Sequence, residues 1–203
     1  MTAASSPATK VDGRTARRER TRAAIVDATI ALIVAGSPSP TSRQIAERAG
    51  VVEKTVFLHF TDLDDLRAAV AAAHQARAIA RHRRIDPELP FAARNAAFVR
   101  QRAVVLETMT PLRLSAVAAE ATSPALRASR SRWAELSTAE LAEVFAAELG
   151  TPPDRRRLIV LGAVTSWAAW DEWRTAQRLG RRAAATAMTD AVALALGVAP
   201  PER

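Results

Sequence analysis

Ala, Arg, Leu and Glu fill this chain at helical spacing, and no run rich in Val, Ile or Thr alternates with polar residues. Strong helix formers without a period-two pattern argue against a sheet-based fold and for an all-α one. Only seven glycines occur. Together with the prolines they mark the joints: Gly36 to Pro40, Gly50, Pro87 to Pro90, Pro111, Ser123-Pro124, Gly150 to Pro153 and Gly180. At such positions a helix loses its donor or its backbone constraint and ends.

Between the joints the spacing predicts helices over 15–35, 44–49, 52–59, 62–84, 91–108, 112–121, 124–149, 154–179 and 183–196. In the first, Ala24, Ile25, Ala28, Leu32 and Ala35 form one apolar stripe. Thr41 followed three residues later by Gln44 has the spacing of a capping box, which satisfies free N–H groups at a helix start. Asp62 is placed to cap the long fourth helix.

The chain has 203 residues, of which 49% are apolar, enough for a substantial core. Cysteine is absent, which excludes disulfides, thiol catalysis and Cys-based zinc sites. No apolar run approaches the roughly 18 residues of a membrane span. The N-terminal residues lack the apolar core of a secretory signal and read as a disordered tail over 1–13. A cytoplasmic protein without membrane partners is therefore expected. The three histidines (59, 74 and 82) are badly spaced for a metal, and neither G-x-S-x-G nor a Gly-rich phosphate loop occurs. No catalytic residue, metal site or cofactor is expected.

Net charge is +8, which favours a polyanion as partner. Because the cations are almost all Arg in an Ala-rich chain, a GC-rich coding bias would raise the charge equally well. The placement of the charge is more informative. Arg14, Arg17, Arg18, Arg20 and Arg22 crowd into nine residues opposed only by Glu19. Just beyond them, two short helices meet at Ala49-Gly50-Val51, the spacing of a helix-turn-helix. Ile45, Ala46, Ala49, Val51, Val56 and Phe60 would pack inward on Ile25, Ala28 and Leu32. Glu53, Lys54, Thr55, Leu58 and His59 would then face outward, as a helix that enters the major groove requires.

The stretch R-R-E-R-T-R-A-A-I-V-D-A-T, followed by T-S-R-Q-I-A-E-R-A-G-V-V-E-K-T-V-F-L-H-F-T-D-L-D-D-L, resembles the N-terminal domain of TetR-type transcriptional repressors. The likeness runs without a gap over about 17–70, while the rest of the chain matches in architecture alone. It implies a helix-turn-helix DNA-binding domain over 14–61 and a helical effector-binding and dimerisation domain over 62–199. It also implies that Arg17 and Arg18 contact phosphates, and that Thr41, Ser42 and Arg43 aim a helix N-terminus at a phosphate. Lys54, Thr55 and Leu58 would reach base edges, with Phe57 and His59 against the backbone. Glu53 would either accept from a cytosine amine or repel wrong sites, and Phe57 would serve equally well as core. Val52 and Leu63 depart from the family pattern, in which a Ser caps the recognition helix and a Lys meets a phosphate.

The same resemblance implies a homodimer formed through the last two long helices. Leu158, Leu161, Gly162, Val164, Ala191, Val192 and Leu194 are the interface candidates, and the partner would be a palindromic operator in double-stranded DNA. A small-molecule effector would occupy a cavity in the body, for which Phe91, Phe98, Met109, Leu112, Trp133, Trp167 and Trp170 are candidate walls. Aromatics at helical spacing are more often ordinary core, and the tryptophans also suit a dimer interface. The expected function is a ligand-responsive repressor. The alternatives are an activator of the same fold and a helical DNA-binding protein without sequence preference.

Overall fold

The structure is a computed structural model that describes residues 8–199. Ten α-helices and one π-helical turn, with no strand, make up the described residues: α1 (Ala8–Val34), α2 (Ser42–Ala49), α3 (Glu53–His59), α4 (Leu63–Arg81), α5 (Phe91–Glu120), α6 (Pro124–Val144), α7 (Ala146–Leu149), α8 (Arg155–Val164), α9 (Trp167–Asp171) with its π-helical continuation Glu172–Ala176, and α10 (Arg181–Leu196).

Two apolar clusters organise these helices. The first joins Ile25, Val26 and Ile33 of α1 to Ile45 and Ala46 of α2, Val56 of α3 with the adjoining Phe60, and Leu66 and Val70 of α4. The second fills the body with Phe98, Leu106, Leu141, Phe145, Leu161, Trp170, Met188 and Val192, drawn from α5 to α10. Phe98 meets Phe145 edge-on at 5.4 Å between ring centroids, a favoured aromatic geometry. Arg94 is buried beside them. Its guanidinium donates to the Leu89 and Val144 carbonyls at 2.8 and 2.6 Å and to both carboxylate oxygens of Glu148 at 2.5 and 3.1 Å. A buried charge needs such complete pairing.

Four expectations are corrected. Pro111 does not divide α5, which runs unbroken through it. Met109 is anchored in the body core and Leu112 in the helix-turn-helix core, so packing on both sides outweighs the lost backbone hydrogen bond. The long helix expected over 154–179 is interrupted after Val164. Thr165 turns its hydroxyl back to the Leu161 carbonyl at 2.7 Å, and Ser166 caps a new helix by accepting from the Ala169 N–H at 3.2 Å. Phe145 likewise separates α6 from α7 within the expected 124–149 helix. Residues 8–13, expected as part of a disordered tail, belong to α1; the remainder of that tail, 1–7, lies outside the described residues.

The interface candidates divide. Leu161 and Val192 are completely buried in the protomer's own core and present nothing to a partner. Leu158, Gly162, Val164 and Ala191 are half-buried. Leu194, at 68% exposure, stands fully outward, as does Ile159 on α8 at 63%.

Candidate nucleic-acid interface and ligand cavity

The helix-turn-helix is built from its caps. Thr41 accepts from the Gln44 N–H while the Gln44 side chain accepts from the Thr41 N–H at 2.8 Å, the reciprocal pairing expected from the sequence. At the other end of α2, Gly50 adopts φ +68°, a left-handed conformation that a side chain would strain. The Val51 N–H then closes onto the Ala46 carbonyl at 3.0 Å. The tight turn throws α3 across α2 at once. Val52 sits at the N-cap of α3 in extended geometry and makes no side-chain cap bond. The helix nevertheless begins regularly at Glu53, with the Thr55 N–H bonded to the Val52 carbonyl at 2.8 Å.

With Val56 and Phe60 buried in the core, the opposite face of α3 is left to solvent. Lys54 is exposed, as are Phe57 at 51% and Leu58 at 65%. Thr55 and His59 are half-buried. Phe57 therefore stands outside the core that Phe60 enters. Glu53 does not project freely: its carboxylate accepts from the Ser42 hydroxyl and ties the start of α3 to the start of α2. Arg43, Arg17 and Arg18 are exposed. Arg22 lays its guanidinium over the Phe60 ring at 4.7 Å. Burial first, then the charges of Arg18 and Arg22, hold the His59 imidazole below its ordinary pKa of 6.5. The arginine run and the end of the recognition helix thus share one electropositive surface. Leu63 packs partly buried against the helix-turn-helix core instead of reaching outward.

Behind this head lies a cavity of about 690 Å³ walled by α1, α4, α5 and α6, within the range of small-molecule sites. Ile30 and Val34 come from α1, Ile79 from α4, Val104, Val105 and Leu112 from α5, and Trp133 and Leu136 from α6. Of the candidate walls, Leu112 and Trp133 line this space. Phe98, Met109 and Trp170 are buried in the body core, Phe91 and Trp167 pack against that core, and these five do not line this cavity. The Trp167 and Trp170 indole N–H groups donate within the protomer to Thr110 at 3.1 Å and Glu107 at 3.2 Å. Sequence reasoning missed the α4 residues of the wall and those of α6 other than Trp133, with His74, Arg77, Ser137 and Glu140 among them. No local pattern signals that α4 packs on α6.

Among the described residues no group of three His, Asp or Glu side chains is placed to hold a metal ion, and no helix is long and apolar enough to cross a membrane.

The first helix of this helix-turn-helix head, and the α4 that follows it, also wall a cavity in a larger helical body, the arrangement of a DNA-binding regulator. Residues 25–70 match the model of the bacterial regulatory proteins of the tetR family, so the head carries the DNA-binding domain of that family. The fold is similar to that of a transcriptional regulator from Rhodococcus sp. Rha1, with a TM-score of 0.67 and 22% identity over 92% of this chain and 99% of that one. It is also similar to the multidrug binding protein EbrR complexed with imidazole, with a TM-score of 0.61 and 25% identity over 85% of this chain and 89% of that one. No curated protein matches the sequence.

Proposed function

We propose that this regulator is a ligand-responsive repressor that binds a palindromic operator as a homodimer and releases it when a small molecule fills the cavity. The observation that carries this reading is the double role of α4. Leu66 and Val70 hold its first half in the helix-turn-helix core, while His74 to Arg81 form the cavity wall. A ligand that favours one placement of α4 thereby favours one placement of the recognition helix, and differential affinity for two states is all that a population shift requires.

Exposed Lys54 and Leu58, with half-buried Thr55, would read base edges. Arg17, Arg18, Arg43, Phe57 and His59 would lie against the backbone, and Thr41 and Ser42 would present the α2 N-terminus to a phosphate. Ile159 and Leu194, exposed on α8 and α10, with half-buried Leu158, Gly162, Val164 and Ala191 around them, would form the dimer face. Two-fold pairing there would set the recognition helices about 34 Å apart, one turn of DNA. The head, the body and their boundary near 61 are read as DNA-binding and effector-binding units on the same grounds.

The test is selection of bound sequences from a random duplex pool by the purified protein at physiological salt. Enrichment of a palindrome with half-sites about one turn apart supports the reading. Uniform recovery of all duplexes would leave the protein a DNA binder without sequence preference.

A further inference from the structure

The charges around the cavity narrow the chemistry of its ligand. Five arginines (77, 81, 83, 100 and 102) and two glutamates (140 and 143) line it, around an apolar chamber. Both glutamates are engaged. Glu140 accepts from Arg102 at 2.7 Å and faces His82 Nδ1 at 3.5 Å, and Glu143 accepts from Arg84 Nε at 3.1 Å. Both wall carboxylates thus already hold a cation of the protein, Glu140 largely enclosed and Glu143 in an exposed pair.

The arginines divide differently. Arg102 is held by Glu140 and by Ser137 at 3.0 Å, and Arg77 is held by Asp27. Arg81, Arg83 and Arg100 have no side-chain partner among the described residues. Arg83 is nevertheless fixed in place. Its N–H donates to Gln101 Oε1 at 2.8 Å and its carbonyl accepts from Gln101 Nε2 at 2.9 Å, while the flanking His82 and Arg84 are tied to α6. The rim therefore carries uncompensated guanidinium charge on a backbone stitched to both α5 and α6. His74 adds a neutral group: burial first, then Arg77 and Arg81, hold its pKa below 6.5, and its buried Nε2 has no hydrogen-bond partner.

We propose that the cavity takes an organic anion, with an apolar body in the chamber formed by Ile30, Val34, Leu112, Trp133 and Leu136 and a carboxylate on the guanidinium rim of Arg81, Arg83 and Arg100. Planar guanidinium groups take carboxylates in two parallel hydrogen bonds, and a rim without a free carboxylate penalises a cation. The proposal deepens the effector reading above and rests on it.

Three probes with one tail and different heads test it: decanoate, 1-decanol and decyltrimethylammonium, each titrated calorimetrically into the full-length protein at pH 7.5. Decanoate is expected to bind about tenfold or more tighter than the other two, a difference of about 1.4 kcal/mol. The triple variant Arg81→Gln, Arg83→Gln, Arg100→Gln, shown to be folded by its melting transition, is expected to lose that preference. Equal or tighter binding of the alcohol or the ammonium, no binding of any probe, or a preference that survives in the folded triple variant would overturn the proposal. Operator release is read separately. Decanoate that binds without weakening operator affinity keeps the anion site and sinks the effector reading. Release by 1-decanol or the ammonium, with decanoate inert, keeps the effector reading and sinks the anion site.

Discussion

The Arg77 guanidinium on α4 grips the Asp27 carboxylate on α1, and the same arginine lines the cavity. One side chain thus touches both the helix that opens the helix-turn-helix core and the space proposed for the ligand. Both partners are well exposed, so the pair contributes only about 0–1 kcal/mol to folding. Its expected effect is on coupling. We predict that Asp27→Asn leaves the melting temperature nearly unchanged but reduces the ligand's effect on operator affinity by about fivefold or more. Operator titrations with and without decanoate check this, and an unaltered ligand effect would remove the pair from the mechanism.

The two classes of DNA contact separate by mutation. Lys54→Ala is expected to cost roughly 1–3 kcal/mol on the operator and to relax preference at one base pair. Arg17→Ala is expected to weaken all duplexes alike and to lower the salt slope by about 1. Affinities on operator and random duplex over a salt series distinguish them. A uniform loss for Lys54→Ala would refute base reading at that position.

Val52 offers a stabilising substitution. It is 72% exposed at the N-cap of α3 and donates no cap. Val52→Ser supplies the missing acceptor and is expected to stabilise the head by about 0.5–1 kcal/mol. Urea unfolding measures this; no gain would show that the start of α3 is already satisfied by the turn at Val52.

Arg94 marks the opposite extreme. Arg94→Met removes four hydrogen bonds and leaves the Glu148 carboxylate, only 14% exposed, without its cation. The expected loss is about 3–5 kcal/mol. A companion Glu148→Gln change should recover part of it, a coupling that a double-mutant cycle reads directly.

Stability should fall on acidification. His59 and His74 both have folded pKa values below 6.5, from burial first and neighbouring arginines second. Below 6.5 the unfolded chain takes up protons that the folded chain resists, so stability is complete above that pH and declines as pH falls toward the depressed folded values. His74→Gln should flatten this decline in melting temperatures recorded between pH 7.5 and 5. An unchanged slope would show that the His74 proton is not linked to folding.

Helix content, the capping box at Thr41 and the turn at Gly50 were all legible in the chain, because each depends on residues within one or two helical turns. The likeness to the TetR family was legible for the same reason, since it lies in one uninterrupted stretch. The body was read less well. Apolar residues of α8 and α10 look alike in sequence, yet Leu161 and Val192 face inward while Ile159 and Leu194 face out. Pro111 carries a strong local signal to stop, and long-range packing of Met109 and Leu112 overrides it. The cavity is the extreme case: its walls converge from four helices, and which aromatics line it and which fill the core is decided by how those helices cross. Local hydrogen bonding and side-chain periodicity thus determined the head from sequence alone. Only tertiary packing, which sums many weak contacts between distant segments, decided the chamber, its arginine rim and the faces left for a partner.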